Sequence, residues 1–545
     1  MIKIKCILLA LIAIGLSTRC ESSASPDGKY FLRVAISDNQ FKEFSYGEIE
    51  LIATDNYEIY SGQTLLFKVS KSKSTRIKLN RGKFDVYVGS NKQERIAAET
   101  LLVKCPNGLL GVKDLQRIGK QALYRGEFEL AKAANEKFLL INVVELEDYV
   151  KGVVPNEMSA KYGIEALKSQ AVAARSYALS PRLGSLEKFN LYDSTLSQSY
   201  FGVNTETQAT TEATQKTAGL VALSNGNVIT AQYTTASCGH TENCENSFSS
   251  SDNTFPSAPK SYLRGRPDYQ NMGNLKTEAA AKKFYKSRPK SYDEESKFFR
   301  WQVEWTASEL EESLPKTLQQ QSKTGFVRKN SATSSNFGKL KHINVTKRGV
   351  SGIIMEMEIV SDSQKFTVKK ELVIRRVLTK NGAPLLSANV AFDHLVDKNG
   401  NLQKVIAYGG GFGHNVGMSQ HGAEFMATRL GKTFDQILKS YYSNIAIGTM
   451  PAVISPNAKK KSEIRKFYAT ERAATLVING KCGPFAIPIG INGKIIQFKS
   501  ESTNSNTLKR IDISRHIRAG ENYIEFFHTA NIPEEKTIEI YVEFF

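Results

Sequence analysis

Short apolar runs separated by polar turns dominate the chain from about residue 30 to residue 124. The runs at 31–36, 64–69 and 84–88 have the length and the β-branched or aromatic content of strands. They predict a β-rich N-terminal unit over residues 25–123. A longer apolar run at 138–144 predicts a further strand that is buried on both faces.

A helical period replaces this pattern at 164–179, where apolar residues recur every three or four positions. These residues are Ile164, Leu167, Ala171, Ala174 and Ala178. The alanines between them favour a helix, and Pro181 predicts its end. Further helices are expected near 307–318 and 420–430, with a strand pair near 345–360. The last 80 residues are again typical of strands.

The N-terminal segment is typical of an export signal. Lys3 and Lys5 precede an apolar run at 6–16, which is too short to span a bilayer. We place the signal at residues 1–24 and expect an exported protein of the periplasm or cell envelope. Cys20 is a candidate site for lipid attachment and membrane anchoring; cleavage without a lipid among the small residues that follow is the alternative.

The charge balance adds a preference for acidic partners. The chain has 545 residues with 73 Lys and Arg against 54 Asp and Glu, a net charge of +19. With 41% hydrophobic and 23% charged residues it has the composition of a globular protein. The positive excess favours an anionic envelope or a polyanionic glycan. Export argues against nucleic acid as a partner.

Three residues in one loop have the chemistry of a metal site. Cys238 and Cys244 would supply thiolates and His240 an imidazole, a set that suits zinc. A fourth ligand is not evident nearby. A disulfide between the two cysteines and a pair of free thiols are the alternatives.

Glu157 is the candidate carboxylate for chemistry. Pro155 predicts a turn, so we expect Glu157 on a shaped loop or at a helix start; an exposed turn residue is the alternative. Lys168 and Arg175 are seven positions apart and would share a helix face. They would form a solvated stripe or an ion pair, hold Glu157 in place, or bind an anionic part of a substrate.

The segment 409–423 is rich in glycine, which permits close approach of the backbone to a ligand or to a second loop. It lacks the Lys of a phosphate-binding loop and the spacing of a dinucleotide fingerprint. Ser419 can cap the helix that follows it. His414 and His421 could bind a metal; packing and hydrogen bonding are the alternative roles.

Together these segments resemble the stage II sporulation protein D family, also called the SpoIID/LytB or amidase-enhancer family. The resemblance covers roughly residues 120–450 and runs in order through the motifs at 124–127, 144–158, 165–178, 197–202, 237–242 and 411–423, to the tyrosine pair at 441–442. The family often has Gly where this chain has Asn415, and commonly Tyr where it has His421.

The resemblance implies a lytic transglycosylase that cleaves peptidoglycan strands already stripped of stem peptides by an N-acetylmuramoyl-L-alanine amidase. Glu157 matches the family's catalytic acid, and some members bind zinc in the loop that holds Cys238, His240 and Cys244. The residues predicted to bind substrate are Lys168, Arg175, Gln198, Tyr200, His414, Ser419 and Gln420. The alternative function is a non-catalytic protein that binds stripped glycan or activates the amidase.

Cations beside a general acid would lower its pKa, so we expect Lys168 and Arg175 to face the substrate. Amidase cleavage frees a lactyl carboxylate on each muramic acid, and these cations would pair with it.

The expected fold class is α+β. A central mixed α/β domain of the SpoIID type would span 124–450, between the β-rich N-terminal unit and a linker at 451–464. A C-terminal β-sandwich would follow at 465–545, where it could bind carbohydrate.

Overall fold

The structure is a computed structural model that describes residues 29–180, 188–269, 273–454, 461–469, 473–480, 485–500, 507–528 and 538–544. The predicted export signal, Cys20 and Pro181 lie outside these ranges. The fold is mixed α/β and rich in strands. Within the described ranges, every helix is too short or too polar to cross a membrane.

Strands fill the N-terminal part of the chain up to residue 145. They are β1 Phe31–Ala35, β2 Ser45–Tyr46, β3 Glu48–Ala53, β4 Tyr57–Ser61, β5 Thr64–Val69, β6 Thr75–Asn80, β7 Lys83–Val88, β8 Asn91–Ile96, β9 Thr100–Lys104, β10 Leu110–Arg117, β11 Lys120–Tyr124, β12 Glu127–Lys132 and β13 Phe138–Glu145. Alternate side chains are buried, as at Thr75, Ile77 and Leu79 of β6. The strands predicted at 31–36, 64–69 and 84–88 are confirmed as β1, β5 and β7.

Two sheets contain these strands. One has the order β11-β10-β3-β6-β7-β8, and the other places β13 between β1 and β12, with β9, β4 and β5 beyond. Both β12 and β13 follow the predicted domain boundary at residue 123, yet they pair with β9 and β1. The boundary therefore divides one sheet, because strands from both sides of it pair with each other.

Helices gather around one buried helix, α2. Their bounds are α1 Leu146–Glu157, α2 Ile164–Ala178, α3 Gln208–Gln215, α4 Cys244–Ser247, α5 Glu278–Lys286, α6 Ala307–Ser322, α7 Glu371–Val377, α8 Gln420–Thr428 and α9 Phe434–Tyr441. Helix α2 packs against α1, α3, α8 and α9. The helices predicted from periodicity are confirmed as α2, α6 and α8.

The turn predicted at Pro155 is wrong, because α1 continues through it to Glu157. Proline lacks an N–H and so leaves one carbonyl of the preceding turn without its helical donor. Near the end of a helix few such bonds remain to be lost. The side-chain amide of Asn156 donates to the carbonyl of Gly152 at 2.7 Å and supports this last turn.

Some strands of the middle region are short, and others form two sheets with a hydrophobic core of their own. They are β14 Leu191–Tyr192, β15 Leu220–Ser224, β16 Asn227–Val228, β17 Tyr233–Thr234, β18 Trp301–Thr306, β19 Val327–Ala332, β20 Leu340–Arg348, β21 Ile354–Ser361, β22 Gln364–Lys369, β23 Thr379–Lys380, β24 Ala383–Pro384, β25 Val390–Val396, β26 Leu402–Gly409, β27 Met418–Ser419 and β28 Ala446–Thr449. The sheets β19-β22-β21-β20 and β18-β26-β25 share a second core with α6 and α7. The predicted strand pair near 345–360 is confirmed as β20 and β21.

The C-terminal strands form two sheets rather than one independent unit. They are β29 Ala452–Ile454, β30 Ser462–Ala469, β31 Ala474–Gly480, β32 Phe485–Ile491, β33 Lys494–Ser500, β34 Thr507–Asp512, β35 Gly520–Phe527 and β36 Ile538–Phe544. The order β30-β35-β32-β33 makes one sheet, whereas β31, β34 and β36 extend the sheet of β15 and β28. The C-terminal strands therefore share a sheet with the central region.

Candidate active site

Glu157 is the last residue of α1 and is half-buried. Its Oε1 accepts a hydrogen bond of 2.7 Å from the backbone N–H of Ser199. The side chain of Gln420, the first residue of α8, forms another hydrogen bond with the carboxyl group. Three segments far apart in sequence thus meet at one carboxyl group, which lies at a helix end rather than on the predicted loop or helix start.

Burial raises the pKa of Glu157 above its ordinary value, and the hydrogen bonds from Ser199 and Gln420 lower it by less. Lys168 and Arg175 are not among the groups that shift this pKa, nor is a second carboxylate, within the described part of the chain. A carboxyl group with a raised pKa keeps its proton closer to neutral pH and can act as a general acid.

Gln198 positions the segment that contacts Glu157. Its side-chain oxygen accepts from the Tyr149 hydroxyl at 3.1 Å, and its amide donates to the Tyr233 hydroxyl at 2.9 Å. Gln198 is 1% exposed and holds the neighbouring Ser199 in place through these two hydrogen bonds. Contact of Gln198 with a substrate stays a prediction.

The two tyrosines at Gln198 were not predicted as site residues. Burial raises the pKa of Tyr233, and the charge of Glu157 raises it further. Burial likewise raises the pKa of Tyr149. Both hydroxyls therefore stay neutral. Tyr149 lies in the 144–158 motif, which could have indicated it, whereas Tyr233 carries no comparable sequence pattern.

Tyr200 belongs to the core, and its contact with a substrate stays a prediction. Its hydroxyl donates to the side-chain oxygen of Asn142 at 2.8 Å, and its ring centroid lies 4.9 Å from that of Tyr149. A side chain at Gly152 of α1 would meet the Tyr200 ring at 2.6 Å. Gly152 therefore allows the ring to pack directly on the helix that ends at Glu157.

Arg175 is wholly buried and paired, and its contact with a substrate stays a prediction. Its Nε and Nη2 donate to the two carboxylate oxygens of Glu147 at 2.8 and 2.7 Å, and its Nη1 donates to the carbonyl of Leu220 at 2.8 Å. The bidentate pair joins α2 to α1. A glycan could reach this guanidinium only if the helices separated.

Lys168 is also held by a neighbour on its own helix. Its Nζ lies 2.6 Å from Oε1 of Glu165 and 5.8 Å from the centroid of the Phe434 ring. Its side chain is 11% exposed. Contact of Lys168 with a substrate stays a prediction.

The 409–423 motif places one of its three predicted binding residues at Glu157. Gln420 contacts the carboxyl group, and its Nε2 donates to the side-chain oxygen of Gln170 at 3.4 Å. Ser419 is buried and accepts the N–H of Gly422 at 3.2 Å, which confirms it as the cap of α8, while its contact with a substrate stays a prediction. Substrate contact by the half-buried His414 stays a prediction.

Asn415 has a φ of +66°, in the left-handed region. Glycine adopts this conformation without strain, and asparagine tolerates it better than most residues do. The substitution of Asn for the family's usual Gly is therefore compatible with the same loop. The Asn415 side chain also donates to the carbonyl of His240 at 2.7 Å, which ties the loop to the cysteine segment.

The zinc ligands predicted at Cys238, His240 and Cys244 do not come together. The two cysteines are thiols that pack in different hydrophobic clusters, and a ring nitrogen of His240 lies 2.7 Å from the carbonyl of Thr241. Within the described ranges, side chains of His, Cys, Asp and Glu form no metal-binding group of three or more. In this arrangement the three residues do not form a zinc site and no disulfide joins the two cysteines, and zinc binding stays a prediction.

A carboxylate holds this segment instead. Asp293 accepts the backbone N–H of Cys238 at 2.7 Å. Its close neighbour Asp268 shares the hydroxyl of Ser291. Burial, with the charge of Asp293 second, raises the pKa of Asp268 to about 7. The pair links the cysteine loop to the segment near residue 292.

Comparison with known families agrees with these motifs. Residues 134–224, which include Glu157 and α2, match the family described as Stage II sporulation protein. The chain therefore contains a SpoIID-type segment, which confirms the predicted resemblance to the SpoIID/LytB family. Residues 249–417 match a second family, described as a domain of unknown function (DUF8618). Asp268 and Asp293 lie in this DUF8618 region.

Individual relatives are distant in sequence. The chain is 28% identical over 334 residues to a stage II sporulation protein D from Bacillus subtilis, covering 58% of this chain and 78% of that protein. It is 28% identical over 302 residues to a Bacillus subtilis protein named amidase enhancer, covering 54% of this chain but 39% of that protein. A protein of Brachyspira hyodysenteriae is 27% identical over 321 residues, covering 57% of this chain and 69% of that protein.

Proposed function

We propose that this protein is a lytic transglycosylase of the cell envelope, which cleaves peptidoglycan strands after an amidase has removed their stem peptides. The observation that carries the proposal is the half-buried Glu157, whose pKa is raised by burial and whose carboxyl group is oriented by Ser199 and Gln420. The match of residues 134–224 to the Stage II sporulation protein family supports a role at the cell wall, and the relative named amidase enhancer supports an amidase as partner.

One carboxyl group suffices for the reaction. Protonated Glu157 donates its proton to the glycosidic oxygen as the bond from that oxygen to C1 of muramic acid breaks, with assistance from the N-acetyl group of the sugar. The resulting carboxylate takes the proton of the C6 hydroxyl, whose oxygen bonds to C1. The products are a new sugar end and a 1,6-anhydro-muramic acid end, and Glu157 is protonated again.

The surroundings of Glu157 suit this mechanism better than one with two carboxylates. Two-carboxylate glycosidases place their acidic groups a few ångströms apart, and the neighbouring charge contributes to their pKa values. Among the described residues, burial and two hydrogen-bond donors account for the shift at Glu157.

The test is product analysis. The chain from residue 25 onward is incubated with peptide-free and with intact sacculi, and 1,6-anhydro ends are measured by mass spectrometry. Loss of the general acid in Glu157→Gln should lower the rate by about 100-fold or more. Glu212→Gln, at an exposed carboxylate of α3, is the matched control and should keep full activity. Unchanged activity of Glu157→Gln would overturn the assignment.

The similarity to the amidase enhancer favours a second candidate, a protein that binds stripped glycan or activates the amidase without cutting. It predicts binding to peptide-free sacculi and faster amidase turnover, with no anhydro ends in either incubation. The same samples distinguish the two functions.

A further inference from the structure

A cavity of about 540 Å³ lies beside the candidate active site. One wall is α8, whose residue His421 follows the Gln420 that contacts Glu157. A second wall is Tyr162, five residues after Glu157, whose hydroxyl lies 3.2 Å from Nδ1 of His421. The third wall consists of residues 292–298 from the DUF8618 region. The cavity is thus built jointly by the SpoIID motifs and by a region without an assigned role.

Aromatic rings form much of the cavity surface. Tyr292 and Phe425 stack with centroids 5.5 Å apart and planes at 21°, and they join the two sides of the cavity. Phe298 lies with its centroid 6.1 Å from the His421 ring. Rings of this kind pack against the C–H faces of sugars, and the volume is within the range of small-ligand sites.

Lys297 is a cation of the cavity wall that forms no ion pair within the described ranges. Its side chain is exposed, and its Nζ lies 5.0 Å from the centroid of the Phe298 ring. The other charged groups of the wall are engaged: Arg429 pairs with Glu295 at 3.3 Å, Glu424 contacts His421 at 3.3 Å, and Asp293 accepts the N–H of Cys238.

We propose that this cavity binds a muramic acid unit of a peptide-free glycan, with the sugar against the aromatic wall and its lactyl carboxylate paired with Lys297. The inference rests on the proposed function and assigns the DUF8618 region a part in it. Before amidase action the lactyl group is a neutral amide that carries a peptide. Lys297 then has no carboxylate of the substrate to pair with, and the peptide has to fit beside the sugar ring. The DUF8618 region would therefore provide the preference for stripped strands, a role predicted for Lys168 and Arg175.

The test measures binding without turnover. Peptide-free glycan, native or with its lactyl carboxylates converted to methylamides, is titrated into Glu157→Gln and into Glu157→Gln with Lys297→Gln. We expect amidation to weaken binding to Glu157→Gln about tenfold, the loss of one charge-assisted contact. The double variant should bind both glycans equally weakly. Lys290→Gln, at an exposed lysine that lies 5.3 Å from the Tyr269 ring and outside the cavity, should change neither affinity.

The sugar wall is tested by Phe298→Ala in the same background. It should weaken binding of both glycans by a similar factor, and circular dichroism checks that the variant is folded. Equal affinity for native and amidated glycan in Glu157→Gln would overturn the inference, as would an unchanged effect of amidation in the double variant.

The experiments distinguish a failure of this inference from a failure of the proposed function. Anhydro ends made by the native protein with a stripped-strand preference that survives Lys297→Gln would overturn the inference alone. Binding that depends on Lys297 without anhydro ends would overturn the catalytic proposal and leave the binding site in place.

Discussion

At the scale of single residues, the protonation of Glu157 is decided by its neighbours rather than by the residue type. Burial favours the neutral form, and the N–H of Ser199 and the amide of Gln420 favour the ionised form. The expected problem of nearby cations does not arise, because Lys168 and Arg175 are paired with Glu165 and Glu147. Glu157 is left with the properties that a general acid needs.

Gln420→Leu tests this balance. The substitution removes a hydrogen bond to the ionised carboxylate, so the pKa of Glu157 should rise further. A general acid is lost as the pH rises through its pKa, and the alkaline limb of the profile of kcat/KM against pH should therefore move to higher pH. Gln319→Leu, at an exposed position of α6, should leave the profile unchanged. A limb that stays in place or moves to lower pH would contradict the assignment.

At the scale of elements, Arg175 joins α2 to α1 through Glu147. Glu147, in the first turn of α1, also accepts the N–H of Gly219 at 3.1 Å, so one carboxylate joins α1, α2 and the residue before β15. Helix α1 ends at Glu157. The Arg175–Glu147 pair thus helps to position the end of α1 that carries Glu157 from the opposite end of the helix.

Arg175→Met should therefore act on stability. Removing one partner of a buried ion pair leaves the other uncompensated, and we expect the free energy of unfolding to fall by about 3 kcal/mol. Lys216→Met breaks an exposed pair with Glu212 on α3 and should cost about 0.5 kcal/mol or less. Urea denaturation measures both. If the Arg175→Met protein were as stable as the native protein and lost only glycan binding, the result would support the prediction that Arg175 contacts the substrate.

At the scale of the whole molecule, the shared sheets contradict a series of independent units. Strand β36 near the C-terminus pairs with β28, which pairs in turn with β15. The backbone N–H of Val542 in β36 donates to the Thr449 hydroxyl of β28 at 3.1 Å. The C-terminal strands therefore support the sheet on which α2 packs, in addition to any carbohydrate binding of their own.

Val542→Asp tests this coupling. Its side chain is wholly buried, and an unpaired charge there should cost several kcal/mol. The whole protein should then melt at lower temperature in one transition and lose activity with it. Leu508→Asp, in β34 of the same sheet and 59% exposed, is the control and should melt like the native protein. A separate early transition that leaves activity intact would show that the C-terminal strands are independent.

The sequence alone determined the features that depend on local patterns. Apolar runs predicted β1, β5, β7 and β13, a helical period predicted α2, and ordered motifs predicted the family and Glu157. The burial and the hydrogen-bond partners of Gln198, Tyr200 and Arg175 were decided by the tertiary structure, as was the separation of Cys238 from Cys244. A motif records that a residue type is present, but it does not record whether the side chain faces a cleft or a partner. Burial and hydrogen bonds between segments far apart in the chain decide that, and they exist only once the helices and sheets have packed.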